Sequence, residues 1–265
     1  AAAAGSAPAS PAAPSGARGR PDHVVVVVFE NKAYSQVAGS GGAPYLNQLA
    51  AGGLLFERFA AVAHPSEPNY LALFSGSTQG LRSDKCPLSF PGVPTLASQL
   101  AAAGLSFVGY AEGLPRAGDT TCSAGRYARK HAPWFDFPGA PAGQPYSAFP
   151  KDFAKLPTVS FVIPDLCHDM HDCSVRTGDD WARANLEPYR AWAQTHNSLL
   201  VVTLDEDDNQ PGNHIFTAIT GAGVRPGRFT EPVDHYRLLR TIESWYGLPG
   251  LGLAAQRAPV PGVWP

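Results

Sequence analysis

The sequence predicts an α/β protein of three layers, in which a mainly parallel central sheet carries helices on both faces. Short apolar segments of strand length alternate along the chain with longer segments of helical period. The segment "HVVVVVF" at 23–29 contains five consecutive valines, which is typical of a strand buried on both faces. Polar residues follow several apolar segments directly, as they do at the carboxyl edge of a parallel sheet, where ligands bind.

The predicted strands are short runs rich in Val, Ile, Leu and Phe, bounded by glycine, proline or polar residues. After 23–29, such runs lie at 54–62, 105–112, 158–165, 198–206 and 215–221. Helical segments separate most of these runs. Each crossover then returns the chain in the same direction, so a mainly parallel sheet is expected.

The predicted helices are recognised by signals at their ends. They lie at 44–53, 66–76, 95–104, 179–196 and 234–247. Gly52 and Gly104 are C-terminal signals for the first and third helices. Ser66 begins the second helix as an N-cap with Pro68 in the first turn, and Pro188 is expected to bend the fourth.

The domain organisation follows from composition. Residues 1–22 are mostly Ala, Pro, Ser and Gly and cannot bury enough apolar surface to offset the entropy of ordering. We predict a disordered leader or linker there, left after removal of a signal peptide or by trimming of the chain. Residues 23–265 are predicted to form a single domain, in which 113–157, aperiodic and rich in Gly, Pro and aromatic residues, is a loop-rich insertion or lid.

Charge and cysteine content restrict the function class and the compartment. The net charge of −2 favours no nucleic-acid partner, and no apolar run approaches the roughly 20 residues of a stable membrane span. The even number of four cysteines suits two local disulfides, Cys86–Cys122 and Cys167–Cys173, although four separate buried thiols are the alternative. Disulfides favour a secreted or extracellular protein. Oligomeric state is not predicted.

The strongest candidate site is the segment "TLDEDDNQPGNH", which ends a predicted strand with Asp205, Glu206, Asp207 and Asp208. Adjacent carboxylates repel one another, and a divalent cation with oxygen ligands would relieve the repulsion. The alternative is a solvated acidic turn. The buried character of the preceding strand favours the metal site.

Glu30 and Asn31 follow the first strand in "FENK". Alone they suit an acid and a cap at a helix start. Because parallel strands end at one edge, they are also expected beside Asp205 and Glu206, where a carboxylate and an amide oxygen are plausible metal ligands.

Ser66 lies at a strand-to-helix turn in "AHPSEPNYLALFSG", two residues after His64. One hypothesis is a plain N-cap. The other is a nucleophile at a helix N-terminus, where backbone N–H groups face an incoming anion. Both hold together only if the Ser66 hydroxyl is free to point outward.

A dense polar segment, "PDLCHDMHDCSVRTGDDW", follows the strand at 158–165. A histidine beside a carboxylate can act in acid–base chemistry or bind a metal with an oriented ring. Its candidate residues are Asp165, His168, His171 and Asp172. His214 begins a later strand and could reach the same edge, whereas His23, His131 and His196 are interpreted as structural.

Five blocks together resemble the phosphoesterase family of bacterial acid phosphatases and non-zinc phospholipases C, which is related to the alkaline phosphatase superfamily. They span about 23–253 and read "VVVVVFENKAYSQV", "HPSEPNYLALFSGSTQG", "HDCSVRTGDDW", "LLVVTLDEDD" and "DHYRLLRTIESWYGLPGLG". The resemblance implies an alkaline-phosphatase-like three-layer sandwich. Larger members often have His and two Gly after the acidic pair, where this chain has Asp207, Asp208 and Asn209.

The resemblance also implies roles for individual residues. Ser66 matches the residue that binds the metal and attacks phosphorus. The metal ligands implied beside it are Glu30, Asn31, Asp205 and Glu206. His168 and His171 are implied as the groups that protonate the leaving alcohol. The residues expected around the phosphate or behind the ligands are His64, Asn69, Asp165, Asp172, Asp207 and His214.

The function implied is a secreted, metal-dependent phosphoesterase that hydrolyses phosphomonoesters, as acid phosphatases do, through a phosphoserine. One or two ions are expected, with Ca²⁺, Mg²⁺, Mn²⁺ or Zn²⁺ possible, and the substrate is a small phosphate ester or a phospholipid headgroup. A first alternative is a phosphodiesterase of the phospholipase C or glycerophosphodiester type, with Trp134, Phe135 and Phe137 lining its cleft. A second is a non-catalytic metal-binding secreted protein.

Overall fold

The computed structural model describes residues 19–264. Residues 1–18 of the predicted leader lie outside the described part. The last residues of that predicted segment are held by the fold, because the Asp22 N–H donates to the Asn197 carbonyl at 2.8 Å and the Asn197 side chain donates to the Arg20 carbonyl at 3.1 Å. No helix of the described residues is long and apolar enough to cross a membrane.

The central sheet has eight strands in the order β10-β2-β9-β8-β1-β7-β3-β6. The described strands are β1 His23–Phe29, β2 Leu54–Phe56, β3 Phe107–Ala111, β4 Ser123–Ala124, β5 Tyr127–Ala128, β6 Gln144–Pro145, β7 Val159–Ile163, β8 Ser198–Leu204, β9 Ala218–Gly221 and β10 Gly227–Phe229. Among the eight, β9 runs antiparallel to its neighbours β8 and β2, and the other pairings are parallel. The predicted α/β class and its mainly parallel sheet are confirmed.

Two groups of helices cover the sheet. The helices are α1 Tyr34–Val37, α2 Pro44–Ala51, α3 Glu67–Ser75, α4 Leu96–Ala102, α5 Val175–Thr195 and α6 His235–Trp245. One group packs α2 against α5, with α5 on β8, and the other packs α3 against α4 and α6. Residues 24–29 of β1 are buried throughout, as the valine run predicted for a strand covered on both faces.

The sequence misjudged several element boundaries. The predicted strand at 54–62 ends at Phe56, and its remainder forms only isolated bridges at Phe59 and Ala60. Helix α5 begins at Val175, inside the polar segment that looked like a loop, and continues past Pro188. The short strands β6 and β10 were not predicted, because two or three residues carry no readable period.

The loop-rich insertion at 113–157 covers part of the core instead of lining a cleft. Trp134 and Phe137 are 2% and 3% exposed, so these two rings do not line a diester-binding cleft. Phe135, the third ring of that prediction, is only partly buried. Trp134 packs so closely on the sheet that a Cβ at Gly109 would overlap its ring. A disulfide between Cys86 and Cys122 fastens the insertion to the segment before α4.

The second disulfide joins Cys167 to Cys173 and closes the polar loop after β7. The described structure therefore contains both disulfides that the sequence predicted, and none of its cysteines is free. The alternative of four buried thiols is wrong.

Candidate active site

The candidate site forms where β1 and β8 end side by side. These strands pair in parallel up to Phe29 and Leu204, so the next residues, Glu30 and Asp205, emerge at the same level of the sheet edge. The Asp205 N–H donates to the Phe29 carbonyl at 3.0 Å, which continues the ladder by one residue. Carboxylate oxygens of Glu30, Asp205 and Glu206 lie within 4.8 Å of one another. We call these three residues the acidic cluster.

The acidic cluster is buried, and its carboxyl groups shift one another's pKa values. Burial and the negative charge of Glu30 raise the pKa of Asp205 well above its ordinary value. Burial alone would raise the pKa of Glu30 as well, but the charge and hydrogen bond of His131 and the hydrogen bonds of Asp205 and Tyr70 together outweigh it and lower that pKa to about 2. Asp205 Oδ2 is fully buried and has no hydrogen-bond partner among residues 19–264. A divalent cation bound by oxygen ligands would favour the ionised form of these carboxyl groups and would give the unpartnered Asp205 oxygen a ligand.

Glu30 is fixed by groups from three other segments. The Tyr70 hydroxyl donates to Glu30 Oε1 at 2.9 Å, and His131 Nε2 lies 2.8 Å from the same oxygen. The Glu30 N–H donates to the Asp169 carbonyl at 2.7 Å. These contacts hold the carboxylate of Glu30 in one orientation.

Asn31 turns the chain away from the sheet. Its φ of 59° is in the left-handed region, which asparagine tolerates better than most residues do. Its N–H donates to Asp205 Oδ1 at 3.2 Å, so the backbone of Asn31 is directly attached to the acidic cluster. The turn keeps Asn31 beside Glu30 and Asp205, as the sequence predicted from the strand ends.

Ser66 is the N-cap residue of α3, yet among the described residues its side chain makes no capping hydrogen bond. Instead Asp84 Oδ1 accepts the Glu67 N–H at 3.0 Å. Ser66 is 5% exposed, and its side chain does not cap the N-terminus of the helix. Its role as a nucleophile stays a prediction.

Helix α3 is attached to the acidic cluster on both sides of Ser66. Before it, His64 Nδ1 lies 2.7 Å from Glu206 Oε1, and its Nε2 lies 3.2 Å from Asp207 Oδ1. After it, Tyr70 reaches Glu30, as described above. Ser66 therefore lies in the chain between two residues, His64 and Tyr70, that contact the acidic cluster.

Asn69, one of the residues expected near the phosphate, shapes the loop that carries His64 and Ser66. Its Oδ1 accepts the Val62 and Ala63 N–H groups at 2.9 and 3.1 Å, and its Nδ2 donates to the Ala63 carbonyl at 2.8 Å. These contacts occupy its amide in the fold of the loop.

His168 is oriented by Glu112, which follows β3. Its Nδ1 lies 2.7 Å from Glu112 Oε1, and since a carboxylate only accepts, Nδ1 carries the proton. Glu112 is held in turn by the Trp181 indole N–H at 3.1 Å and by the Asp165 N–H at 3.0 Å. His168 Nε2 is the ring nitrogen left to face a substrate.

Glu112, Asp165 and His168 are also close enough to hold a second ion. Asp165 Oδ1, however, already accepts the N–H groups of Cys167 and His168, at 3.0 and 2.9 Å. With both Glu112 oxygens occupied as well, these contacts favour an oriented histidine over a second ion site.

Two other predicted histidines occupy different surroundings. His171 Nδ1 pairs with Asp172 Oδ1 at 2.6 Å, and both side chains are exposed. His214 Nε2 bonds to the Glu57 carbonyl at 2.7 Å, and its ring stacks on Tyr34 with centroids 4.2 Å apart. His171 thus remains open to solvent, whereas the ring of His214 is engaged in packing.

Several residues of the site were missed from the sequence. His131 and Lys130 come from the aperiodic insertion, Asp84 from a loop and Tyr70 from the apolar face of a helix, where no local signal marks them. Glu112 could have been found, because it is the last residue of the predicted strand at 105–112 and therefore lies at the same kind of strand end as Glu30. His131 in particular, interpreted as structural, contacts the acidic cluster.

Comparison with known proteins shows which proteins this chain resembles. A model of the Phosphoesterase family matches residues 40–249. A protein of Mycobacterium tuberculosis named phosphatidylinositol-3-phosphatase is 50% identical over 246 residues, covering 91% of this chain and 82% of the relative. An acid phosphatase of Aspergillus fumigatus is 29% identical over 85% of this chain, which spans only 55% of that relative.

Solved structures show the same fold. A protein of the alkaline phosphatase superfamily from Vibrio parahaemolyticus superposes with a TM-score of 0.62 at 15% identity, covering 88% of this chain and 68% of the other. The lipoteichoic acid synthase LtaP from Listeria monocytogenes gives a TM-score of 0.63 at 11% identity, covering 86% and 72%. At these identities the likeness concerns the fold alone.

Proposed function

Because this chain belongs to the Phosphoesterase family and is a phosphoric ester hydrolase, we propose that it cleaves phosphomonoesters with Ser66 as the nucleophile. The observation that supports this most directly is the unused side chain of Ser66. It begins α3 without capping it, and His64 and Tyr70 fasten the same helix to the acidic cluster on either side. A serine placed for helix capping alone would accept the Asn69 N–H, which instead donates to the Ser66 carbonyl at 3.0 Å.

The proposed metal ligands are Glu30, Asn31, Asp205, Glu206 and the Ser66 hydroxyl. Their oxygen donors favour one ion of Ca²⁺, Mg²⁺ or Mn²⁺, while the nearby histidines leave Zn²⁺ as a candidate. When bound, such an ion supplies positive charge that favours the ionised Ser66 hydroxyl and offsets the charge of the phosphate. The contact of His64 with Glu206 and that of Tyr70 with Glu30 orient the two carboxylates that would bind the ion.

The proposed reaction has two displacements. Ser66 Oγ forms a bond to phosphorus as the bond from phosphorus to the ester oxygen breaks, which gives a phosphoserine and an alcohol. Water then attacks phosphorus, releases inorganic phosphate and regenerates the hydroxyl. In the first step the Ser66 hydroxyl loses its proton to solvent, and His168, with a proton on each ring nitrogen, gives its Nε2 proton to the departing alcohol oxygen. In the second step His168 takes a proton from the attacking water and is charged again.

Glu112→Gln tests the role of His168. We expect kcat/KM for an alkyl phosphate such as glycerol phosphate to fall about 10²-fold, because the imidazole loses the carboxylate that orients it and stabilises its charged form. The loss for p-nitrophenyl phosphate should be much smaller, since p-nitrophenolate leaves without a proton. Steady-state kinetics with both substrates measure the difference.

The matched control is His171→Asn, which alters the exposed histidine of the same loop. Equal losses for both substrates in Glu112→Gln would contradict the role of His168 in leaving-group protonation. A loss confined to the alkyl ester in His171→Asn would transfer that role to His171.

The proposed substrate is a small phosphomonoester, including a phosphorylated lipid headgroup of the kind named for the mycobacterial relative. Burial of Trp134 and Phe137 in the core weakens the diesterase alternative, because these rings are not available to line an apolar cleft. The two disulfides support the proposal that the protein is secreted.

Hydrolysis of p-nitrophenyl phosphate, bis(p-nitrophenyl) phosphate and p-nitrophenyl phosphorylcholine tests the proposed function. We expect the monoester to be cleaved fastest, the activity to disappear with EDTA, and one of Ca²⁺, Mg²⁺, Mn²⁺ or Zn²⁺ to restore it. Faster cleavage of either diester would establish the diesterase alternative. A metal-dependent rise in melting temperature without hydrolysis of any substrate would establish a non-catalytic metal-binding protein.

A further inference from the structure

The first turn of α3 cannot supply the backbone donors that a phosphate beside Ser66 needs. Asp84 accepts the Glu67 N–H at 3.0 Å, Pro68 has no N–H, and the Asn69 N–H donates to the Ser66 carbonyl at 3.0 Å. In the described part of the chain, residues 67–69 therefore offer an anion no free backbone donor. This corrects the expectation that helix N–H groups would face the phosphate, so the donors must come from side chains.

Lys130 is the cation that the structure places at this position. Its Nζ lies 3.0 Å from Asp84 Oδ2, while Oδ1 of the same carboxylate holds the Glu67 N–H. One carboxylate therefore connects the ammonium group to the residue that follows Ser66. The side chains of Lys130 and Asp84 are 33% and 27% exposed, so solvent and ligands reach them.

The neighbouring cations have other roles. Lys130 belongs to a single turn, Arg129–His131, whose three side chains point to different partners. Arg129 is buried and donates to the carbonyls of Thr120, Leu88 and Phe135. His131 contacts Glu30. Lys130 is the member of this turn that both carries an accessible charge and borders Ser66.

We propose that Lys130 binds a non-bridging oxygen of the substrate phosphate next to Ser66, and that Asp84 is the positioning residue that holds the ammonium there. This inference rests on the proposed phosphatase function and extends it to a residue outside the predicted site. A phosphomonoester brings up to two negative charges toward a cluster of buried carboxylates. An ammonium donor at this position offsets part of the repulsion and aligns phosphorus with Ser66 Oγ.

The surroundings keep Lys130 charged. Burial alone would lower the pKa of Lys130, but the hydrogen bond to Asp84 and the negative charges of Glu30 and Glu67 outweigh it and raise that pKa. The ammonium group of Lys130 has three donor hydrogens, and its contact with Asp84 Oδ2 uses one of them. The others remain for a second acceptor. Lys130 can thus bind phosphate without leaving Asp84.

The test compares Lys130→Met, Lys130→Arg and the exposed-lysine control Lys151→Met. We expect Lys130→Met to lower kcat/KM for p-nitrophenyl phosphate about 10²-fold and to weaken competitive inhibition by orthophosphate at least tenfold. The loss for bis(p-nitrophenyl) phosphate should be smaller, since the diester carries one negative charge instead of two. Lys130→Arg should retain most of the inhibition by orthophosphate, and Lys151→Met should match the wild type.

Asp84→Asn distinguishes positioning from charge. It should raise KM for the monoester while changing kcat less, because the ammonium remains but is no longer held in place. Melting temperatures identify any variant that fails to fold, and in that event Lys130→Arg and Asp84→Asn carry the test.

The phosphate-binding role would be overturned if Lys130→Met stays within twofold of the wild type in both kcat/KM and orthophosphate inhibition. The phosphatase proposal would survive that result as long as wild-type activity depends on metal and on Ser66. Absence of monoester hydrolysis by the wild type itself would instead refute the function on which the inference rests.

Discussion

Replacement of Ser66 by alanine is expected to lower kcat for p-nitrophenyl phosphate by about 10³- to 10⁵-fold, because the substitution removes the proposed nucleophile. The same substitution should leave the free energy of unfolding nearly unchanged. Among the described residues the side chain caps nothing, and Asp84 already satisfies the Glu67 N–H. Kinetics and urea denaturation of the same preparations measure the two effects.

A genuine N-cap provides the matched control. Thr95 begins α4, and its Oγ1 accepts the Ser98 N–H at 3.2 Å. Thr95→Ala should cost about 1 kcal/mol of stability and leave kcat unchanged, which is the reverse of the pattern expected for Ser66→Ala. Acid quenching during turnover should also trap phosphate on Ser66. Full activity of Ser66→Ala, or labelled phosphate on another residue, would falsify the assignment of the nucleophile.

Replacement of Asp205 by asparagine should abolish activity and yet stabilise the metal-free protein. Asp205 is buried between two other carboxylates, and its Oδ2 has no partner within residues 19–264. An amide cannot ionise, so it removes the cost of burying an ionisable carboxyl beside Glu30 and Glu206, and its N–H groups can donate to either neighbour. We expect the free energy of unfolding in EDTA to increase by roughly 1–3 kcal/mol, while kcat falls at least 10²-fold.

Thermal unfolding with and without metal measures this prediction. The wild type should melt at a higher temperature when the activating ion is added, because the ion binds the folded state, and Asp205→Asn should lose most of that increase. Asp172→Asn, which changes an exposed aspartate, should retain the response to metal. A lower melting temperature of Asp205→Asn in EDTA would show that the three carboxylates are not in electrostatic conflict.

The acidic cluster could be predicted because two simple rules place its members. A valine-rich strand must be central, and parallel strands end at a common edge, so the polar residues after 23–29 and 198–206 had to be near one another. The structure shows this proximity, because the register of β1 and β8 brings the Asn31 N–H into hydrogen-bond contact with Asp205. The same rule, applied to Glu112 after β3, would have found the carboxylate that orients His168.

The contribution of the insertion could not be predicted. His131 and Lys130 occupy one turn in a segment without period, and that turn is positioned by contacts distant in the chain. Arg129 donates to several carbonyls, and the Cys86–Cys122 disulfide joins the insertion to the segment that carries Asp84. Aromatic residues in the same segment misled the prediction, because Trp134 and Phe137 resembled a ligand cleft but complete the core.

The pairing of β1 also has a consequence for the order in which the chain folds. Val24 lies beside Val159 on one side and Leu199 on the other, so the central strand obtains neither partner until most of the chain has been synthesised. Until then a run of five valines with high β-propensity and no charge remains exposed, which invites association between nascent chains. Such long-range pairing predicts slow folding with a need for chaperone protection, and recovery of catalysis should be among the last events of refolding.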